Sequence, residues 1–178
     1  MFLQSQLSWN VVVPAENIDA EGLMLQKAIL IRLLEDFSSR KALKEIGYLT
    51  AVTTLDHVGE ATVRQHTGDL LFPVEFSCIT FKMFPGEVLE GVAHSVMKQG
   101  VFLRCGAAEK VYVSPSKMAG YKFVPGENPV YKNDEKSLRI EKGTKVQFLV
   151  LDEKYDEIER DFRAVVSLEG EFLGPILI

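Results

Sequence analysis

Three histidines and two cysteines are the side chains of this 178-residue sequence best suited to metal binding or nucleophilic chemistry. His57, His66 and His94 are not three to five residues apart, and neither Cys78 nor Cys105 belongs to a CxxC pair. Zinc ligands typically occur at such short spacings. We therefore predict no metal site, and we expect the two cysteines to be small hydrophobic core residues.

Six carboxylates lie close together near the end of the sequence, at Asp152, Glu153, Asp156, Glu157, Glu159 and Asp161. Paired carboxylates can supply acid–base catalysis or bind a cation. This cluster lacks the alternating ligands and central glycine of a calcium loop, so it favours a solvated hairpin turn over a hydrolase site. The GxSxG, GxxxxGK[ST] and HExxH motifs are also missing from the sequence. We predict a protein without catalytic residues or cofactors.

Basic charge is concentrated in one segment. The full sequence has a net charge of −5, but Lys98 to Lys145 contains ten basic and five acidic residues, a net charge of +5. Aromatic residues are interleaved with these cations, at Phe102, Tyr112, Tyr121, Phe123 and Tyr131. Cations for phosphates and rings for bases are the components of a single-stranded nucleic-acid site. The charged edges and core aromatics of an ordinary barrel explain the composition equally well.

The first part of the sequence predicts a small α+β domain over residues 1–80. Hydrophobic periodicity predicts a strand, an amphipathic helix and two further strands over Phe2–Val13, Ala20–Ser38, Gly47–Val58 and Leu70–Phe84. Asn17 or Asp19 is suited to cap the helix. Between the last two strands, the polar stretch at residues 59–68 is bracketed by glycines and predicts a long hairpin loop.

Residues 81–178 predict a small all-β barrel. Short strands with turn signals between them are expected over Glu87–Met97, Val101–Cys105, Val111–Val113, Thr144–Leu151 and Phe162–Leu168. The segment 119–136 is rich in glycine and proline and predicts a long inserted surface loop without strands.

Size and patterning also bear on location and partners. The start of the sequence has no signal-peptide pattern, and charged residues interrupt its most apolar stretch, so we expect a soluble intracellular protein. Domains of about 80 and 98 residues bury only roughly 60% of their unfolded surface. Both domains are therefore expected to gain stability from docking on partners.

The run from Gly86 to Leu103, GEVLEGVAHSVMKQGVFL, followed by KVYVSPSKM, resembles the S-one type of OB-fold RNA-binding domain. The resemblance implies that Phe102 stacks on an RNA base and that Tyr112 replaces the family's stacking histidine. Gln99 stands where a second aromatic residue is usual, so stacking is expected to be weakened. Lys98 and Arg104 complete the predicted RNA-binding set.

The whole sequence resembles the seventh, stalk-forming subunit of eukaryotic DNA-directed RNA polymerases. The motifs that carry this resemblance are MFxxxQL at residues 1–7, AVTxLDxVGE at 51–60, TGxxxFPV at 67–74, FxGEV at 84–88 and EFLG at 171–174. Trp9-Asn10-Val11 and the Pro125–Pro129 run PGENP look most like the plant version that serves RNA polymerases IV and V in small-RNA-directed silencing.

This resemblance implies a truncated RNP-like domain over residues 1–80, followed by an OB-fold barrel over residues 81–178. It also implies a nuclear protein that pairs with the fourth subunit and contacts nascent single-stranded RNA. The loop at residues 59–68 is expected to be a tip that docks on the polymerase core near its clamp, and the predicted docking residues are Asp56, Gly59, Glu60, Arg64, Gly68, Phe72 and Pro73.

Two alternatives stay open at this point. The protein is a stalk subunit of RNA polymerase II, or it is a free OB-fold RNA-binding factor that acts in translation or RNA decay.

Overall fold

The computed structural model describes residues 1–18 and 24–176. Its contacts divide the chain into two compact units, of which the first spans Phe2–Lys82 and the second comprises Met1 and the residues from Met83 onwards. The identity of these units as the two domains expected from the sequence stays a prediction. Among the described residues, no helix combines the length and apolar character that a membrane-spanning helix needs.

The first unit is an antiparallel sheet with a helix on one face. Its elements are β1 (Phe2–Val13), α1 (Leu25–Ser39), β2 (Ala42–Leu43), β3 (Gly47–Val58), β4 (Thr62–Val63) and β5 (Leu70–Phe81). The strand order is β1–β5–β3–β2, with β4 paired to the start of β5. The pairing of β1 with β5 runs without a bulge over both whole strands, so the register of this pair is set along its full length. The pairing of β3 with β5 is interrupted by three register shifts.

Alternation along β5 builds the core of this unit. Every second side chain of β5 points to the helix and is buried, while α1 contributes residues four positions apart; the set comprises Phe72, Val74, Phe76, Cys78, Ile29, Leu33 and Phe37. The Trp9 ring lies 6.0 Å from that of Phe37 and 5.0 Å from that of Phe76. The Arg40 guanidinium lies 4.2 Å from the centre of the Trp9 ring, which covers the end of the core with a cation–π contact.

The start of the helix and the stretch at residues 59–68 were both predicted from the sequence. The predicted helix start at Ala20 and the cap at Asp19 lie outside the described residues, and the described helix begins at Leu25. The stretch at residues 59–68 is not wholly a loop, because Thr62 and Val63 form β4 against Leu71 and Leu70. These β-branched residues favour an extended backbone, and the loop ends bring them back beside β5.

The second unit contains a closed barrel. Its strands are β6 (Val88–Met97), β7 (Gly100–Cys105), β8 (Ala108–Val113), β9 (Lys122–Val124), β10 (Val130–Asn133), β11 (Leu138–Ile140), β12 (Lys145–Asp156), β13 (Asp161–Ser167) and β14 (Gly174–Pro175). Within the described residues, the five strands β6–β7–β8–β13–β12 form a ring that closes where β12 pairs with β6. The β8–β13 pair is parallel and the other pairs of the ring are antiparallel.

The segment at residues 119–136 differs from its prediction. It was expected to be an irregular loop, but it contains β9 and β10, which form a three-stranded sheet with β11. The glycines and prolines occupy the connections, while Phe123 and Tyr131 pair across the strands with ring centres 5.3 Å apart. Tyr131 is 2% exposed, so burial of this aromatic pair outweighs the local turn signals.

The helix–sheet core can be tested with two neighbouring leucines. Leu33 is fully buried, whereas Leu34 is 44% exposed on the same helix. We expect Leu33→Ala to lower the free energy of unfolding by about 2–5 kcal/mol, because it leaves a cavity against β5. Leu34→Ala is the matched control and should change it by less than about 1 kcal/mol. Chemical denaturation followed by circular dichroism measures both values, and equal losses would contradict this packing.

Candidate nucleic-acid interface and docking surface

Three rings form a row across the outward face of β6, β7 and β8. Phe102 is paired in register with Tyr112, and their ring centres are 5.2 Å apart. His94 continues the row on the other side of Phe102, at 6.3 Å. We call His94, Phe102 and Tyr112 the ring row. A row of partly exposed rings on adjacent strands is a surface on which successive nucleic-acid bases can stack.

Two tyrosines hold the β6–β7 turn that carries Lys98. The Tyr112 hydroxyl donates to the Gln99 carbonyl at 2.5 Å. The Tyr131 hydroxyl lies 2.9 Å from the carbonyls of both Met97 and Lys98. Burial raises the pKa of Tyr131, so its hydroxyl keeps its proton and stays a donor. The exposed Lys98 side chain therefore projects from a turn whose backbone is fixed from two sides.

Gly100 lets the Tyr112 ring lie across the start of β7. A Cβ atom at Gly100 would be 2.6 Å from Tyr112 Cε2, and the residue has a φ of +147°. The backbone angle and the close approach both require glycine. Gly100 entered the sequence analysis only as part of the family motif. In the structure, its missing side chain leaves the space that the Tyr112 ring occupies.

The predicted RNA-binding residues lie on or beside one face. Arg104 is exposed and follows Phe102 by two residues, so it projects from the same side of β7. The set predicted from the sequence did not include His94, whose ring lies on the same face. Its ring is oriented by a hydrogen bond between Nε2 and the Glu109 carbonyl at 2.9 Å. The signal that could have found it is its position in β6, the strand that pairs with β7 beside Phe102.

The acidic cluster lies along the β12–β13 hairpin, with Glu157 and Glu159 in the turn and the other four carboxylates in the strands. Asp156 Oδ1 accepts hydrogen bonds from the backbone N–H groups of Ile158 and Glu159, at 3.0 and 3.1 Å. The Glu159 carboxylate accepts a hydrogen bond from Lys110 and lies 3.2 Å from Arg163 Nη2. The turn is therefore held by hydrogen bonds to Asp156 and by the ion pairs of Glu159 with Lys110 and Arg163.

These contacts shift the protonation equilibria of the cluster. The hydrogen bond to Glu159 raises the pKa of Lys110. The hydrogen bonds from Lys110 and Arg163 lower the pKa of Glu159. Hydrogen bonds from the backbone, first that of Glu159, lower the pKa of Asp156. All of these groups are charged at neutral pH, which is the state that the ion pairs require.

The cysteines have the expected place. Cys78 is 0% exposed and Cys105 is 6% exposed, and burial raises the pKa of both thiols. Both are therefore core hydrophobes, as predicted. Across residues 1–18 and 24–176, no group of three or more histidine, cysteine, aspartate or glutamate side chains is arranged to hold a metal ion.

The predicted docking residue Asp56 lies at the centre of the sheet face opposite α1. Its carboxylate accepts hydrogen bonds from the hydroxyls of Thr54 and Ser77, both at 2.7 Å, and from the Gln6 amide at 3.4 Å. The hydrogen bonds from Thr54 and then Ser77 lower the pKa of Asp56. This fixed, exposed carboxylate can still accept a hydrogen bond from a basic partner group.

The predicted tip contains one turn, at residues 65–67, and is held by backbone hydrogen bonds at both of its glycines. The Gly59 N–H donates to the Pro73 carbonyl at 2.7 Å, and the Gly68 N–H donates to the Arg64 carbonyl at 3.0 Å. Glu60, Arg64 and Pro73 are exposed. Gly68 has a φ of +74°, which favours glycine. Gly59 is required for a different reason, since a Cβ atom there would lie 2.6 Å from Pro73 Cγ.

Phe72 does not belong to the docking surface. Its side chain is 5% exposed and packs in the helix–sheet core. The alternation of β5 explains the error, because Pro73 faces outwards and its neighbour Phe72 must therefore face inwards. The docking role predicted for Phe72 is corrected to a core role.

Comparison with known proteins gives relatives along nearly the whole chain. It is 57% identical to DNA-directed RNA polymerase V subunit 7 of Arabidopsis thaliana, covering 99% of this chain and 98% of the relative. It is 51% identical to DNA-directed RNA polymerase IV subunit 7 of the same plant, covering 98% and 99%. Identity to Arabidopsis DNA-directed RNA polymerase II subunit 7 is 29%, over 87% of this chain and 86% of the relative. No protein-family model matches the chain.

The ion pairs of the β12–β13 turn give a pH-dependent expectation. Because the pKa of Glu159 is lowered in the folded state, its stabilising contribution is present above its unfolded pKa and is lost as pH falls through the folded value. Lys110→Met removes the principal partner. We expect this variant to be less stable than wild type at pH 7, and the difference to shrink from about pH 5 downwards.

Denaturation of both proteins at a series of pH values measures this difference. Lys132→Met, which removes an exposed cation of β10, is the matched control and should give a difference with little pH dependence. If the free energy of unfolding falls with decreasing pH in the same way for wild type and Lys110→Met, the proposed role of the ion pair is contradicted.

Proposed function

Because the chain belongs to the subunit 7 family of the plant DNA-directed RNA polymerases IV and V, we propose that it is a non-catalytic stalk subunit of one of these nuclear polymerases. The observation that carries this proposal is the match to both relatives along nearly the whole chain. The much lower identity to the polymerase II relative favours polymerase IV or V over polymerase II. The subunit would then serve RNA-directed DNA methylation and gene silencing.

The strand pairing supports a finer assignment of the two units. The ring β6–β7–β8–β13–β12, with β8 and β13 parallel, fits a five-stranded OB-fold barrel. The S-one motif falls on β6 and β7 of this ring. The first unit, with one described helix on an antiparallel sheet, fits a truncated RNP-like domain. On this proposal, the sheet at β9–β11 is an insertion in the barrel.

We propose that the first unit docks on the polymerase core through its tip and the polar sheet face. Glu60, Arg64 and Pro73 are exposed there, and Asp56 offers a fixed carboxylate. Backbone hydrogen bonds at Gly59 and Gly68 hold the tip, which reduces the backbone entropy that is lost on binding.

The fourth subunit is the proposed partner for the stalk heterodimer. The helix α1 buries Ile29 and Leu33 but leaves Met24, Ile31 and Leu34 exposed. Large apolar side chains that stay exposed in a chain this small are suited to contact with another subunit.

The barrel is proposed to hold nascent single-stranded RNA on the ring row. Phe102 and Tyr112 would stack on bases, and Arg104 and Lys98 would contact phosphates. Because Gln99 replaces one of the family's stacking rings, we expect weak binding, and stacking alone gives little sequence preference.

Docking can be tested in plant nuclei with two glycine variants of an affinity-tagged subunit. Gly68→Val forces a β-branched residue into a left-handed conformation and should greatly reduce co-purification of the largest polymerase subunits. Gly126→Val is the matched control, because Gly126 has open space around it. Mass spectrometry of the purified material measures recovery. Equal recovery with both variants would contradict docking through the tip. If wild type recovers no polymerase subunits, the proposed function as a polymerase subunit is contradicted.

RNA contact can be tested with two phenylalanine variants. Phe102→Ala removes a ring of the ring row and should weaken binding of a fluorescein-labelled oligouridylate about tenfold, the effect expected for one stacked base. Phe172→Ala removes a ring that is 90% exposed between β13 and β14 and is the matched control. Fluorescence anisotropy measures both affinities, and equal affinity for the two variants would show that the ring row holds no RNA.

A further inference from the structure

A second row of side chains lies beside the ring row. Val165 of β13 is paired in register with Tyr112 of β8. Two residues earlier on these strands lie Arg163 and Lys110, which project from the same face. Arg104 lies opposite Glu109 and Lys110, where a bulge interrupts the β7–β8 register.

Arg104, Lys110 and Arg163 therefore cross three neighbouring strands as a row of cations, which we call the cation row. Residues two apart on one face of a strand are separated by about 7 Å. The cation row thus runs beside the ring row, and the two rows are about 7 Å apart along the strands. Cations that follow a row of stacking rings are the arrangement that holds the backbone of a single strand while its bases stack.

Two members of the cation row, Lys110 and Arg163, form ion pairs with carboxylates. Lys110 Nζ bonds to Glu159 and lies 3.6 Å from Asp161 Oδ2. Arg163 Nη2 lies 3.0 Å from Asp156 Oδ2 and 3.2 Å from Glu159 Oε2. Glu159 is the carboxylate that contacts both cations. Its side chain is 42% exposed, so solvent screens both pairs and the carboxylate can be displaced.

We propose that Lys110, Arg163 and Arg104 form the phosphate-binding row for single-stranded RNA, and that Glu159 occupies this row until an RNA phosphate displaces it. This inference rests on the RNA contact proposed above and names further residues for it. Arg163 lies outside the basic segment at residues 98–145, so its place in the row follows from the β8–β13 pairing. Glu159 weakens RNA binding, because each phosphate must compete with an internal anion.

The competition gives an unusual expectation, in which loss of a side-chain charge strengthens binding. Glu159→Gln keeps the shape of the side chain but removes the anion. We expect this variant to bind a fluorescein-labelled oligouridylate roughly threefold to tenfold more tightly than wild type at low salt. The gain should fall as salt is raised, because the phosphate contacts are screened. Glu159→Ala should show the same gain.

Two controls separate this mechanism from a change in overall charge. Glu135→Gln makes the same change in the exposed β10–β11 turn and should leave the affinity nearly unchanged. The triple variant Glu159→Gln, Lys110→Met, Arg163→Met removes the freed cations and should lose the gain. Thermal unfolding of each variant verifies that it is folded at the temperature of the binding measurement.

Three results would overturn the inference: no gain in Glu159→Gln and Glu159→Ala, an equal gain in Glu135→Gln, or a gain that persists in the triple variant. Failure of the inference alone is recognised when wild type binds and Phe102→Ala weakens binding, but loss of the Glu159 charge has no effect. If Phe102→Ala also leaves binding unchanged, the proposed RNA contact is wrong, and the RNA-binding role of the cation row is then wrong as well.

Discussion

The parallel pairing of β8 with β13 is the contact on which the candidate RNA surface depends. It joins strands about fifty residues apart in the chain and completes the ring of the barrel. Inward residues of both strands fill the interior, including Val111, Ala164 and Val166. Alternation then obliges Lys110, Tyr112, Arg163 and Val165 to face outwards in rows. The same interior packing that stabilises the barrel therefore sets the spacing of the rings and the cations.

Elements outside the ring keep this surface in place. The buried hydroxyl of Tyr131, in the sheet formed by β9–β11, reaches the carbonyls of the β6–β7 turn. Tyr112 has two roles, since its ring belongs to the ring row and its hydroxyl holds the same turn. On the opposite end of the cation row, Asp156 caps two backbone N–H groups and orders the turn that carries Glu159. The acidic cluster thus orders this hairpin and also forms ion pairs with the neighbouring cations Lys110 and Arg163.

The sequence was most informative where local pattern and structure agree. Alternation and helical periodicity located β1, β3, β5 and α1, and the family motif identified Phe102 and Tyr112 of the ring row but not His94. The sequence was least informative where distant residues meet. Residues 119–136 have strong turn signals, and their strands are favoured by the burial of side chains such as Tyr131 against distant residues. The inward direction of Phe72 was hidden by its place in a motif, and the contact of Glu159 with Lys110 depends on a strand pairing that no local pattern encodes.

On the proposed function, the outward face of β6, β7, β8 and β13 holds single-stranded RNA by stacking and by phosphate contact. Ultraviolet cross-linking of an oligouridylate to the full chain, followed by mass spectrometry of the cross-linked peptides, locates the bases on the protein. We expect cross-links at Phe102 and Tyr112, with His94 as a further site on the same row. Cross-links confined to the first unit, or to the β9–β11 sheet, would contradict the proposed RNA surface.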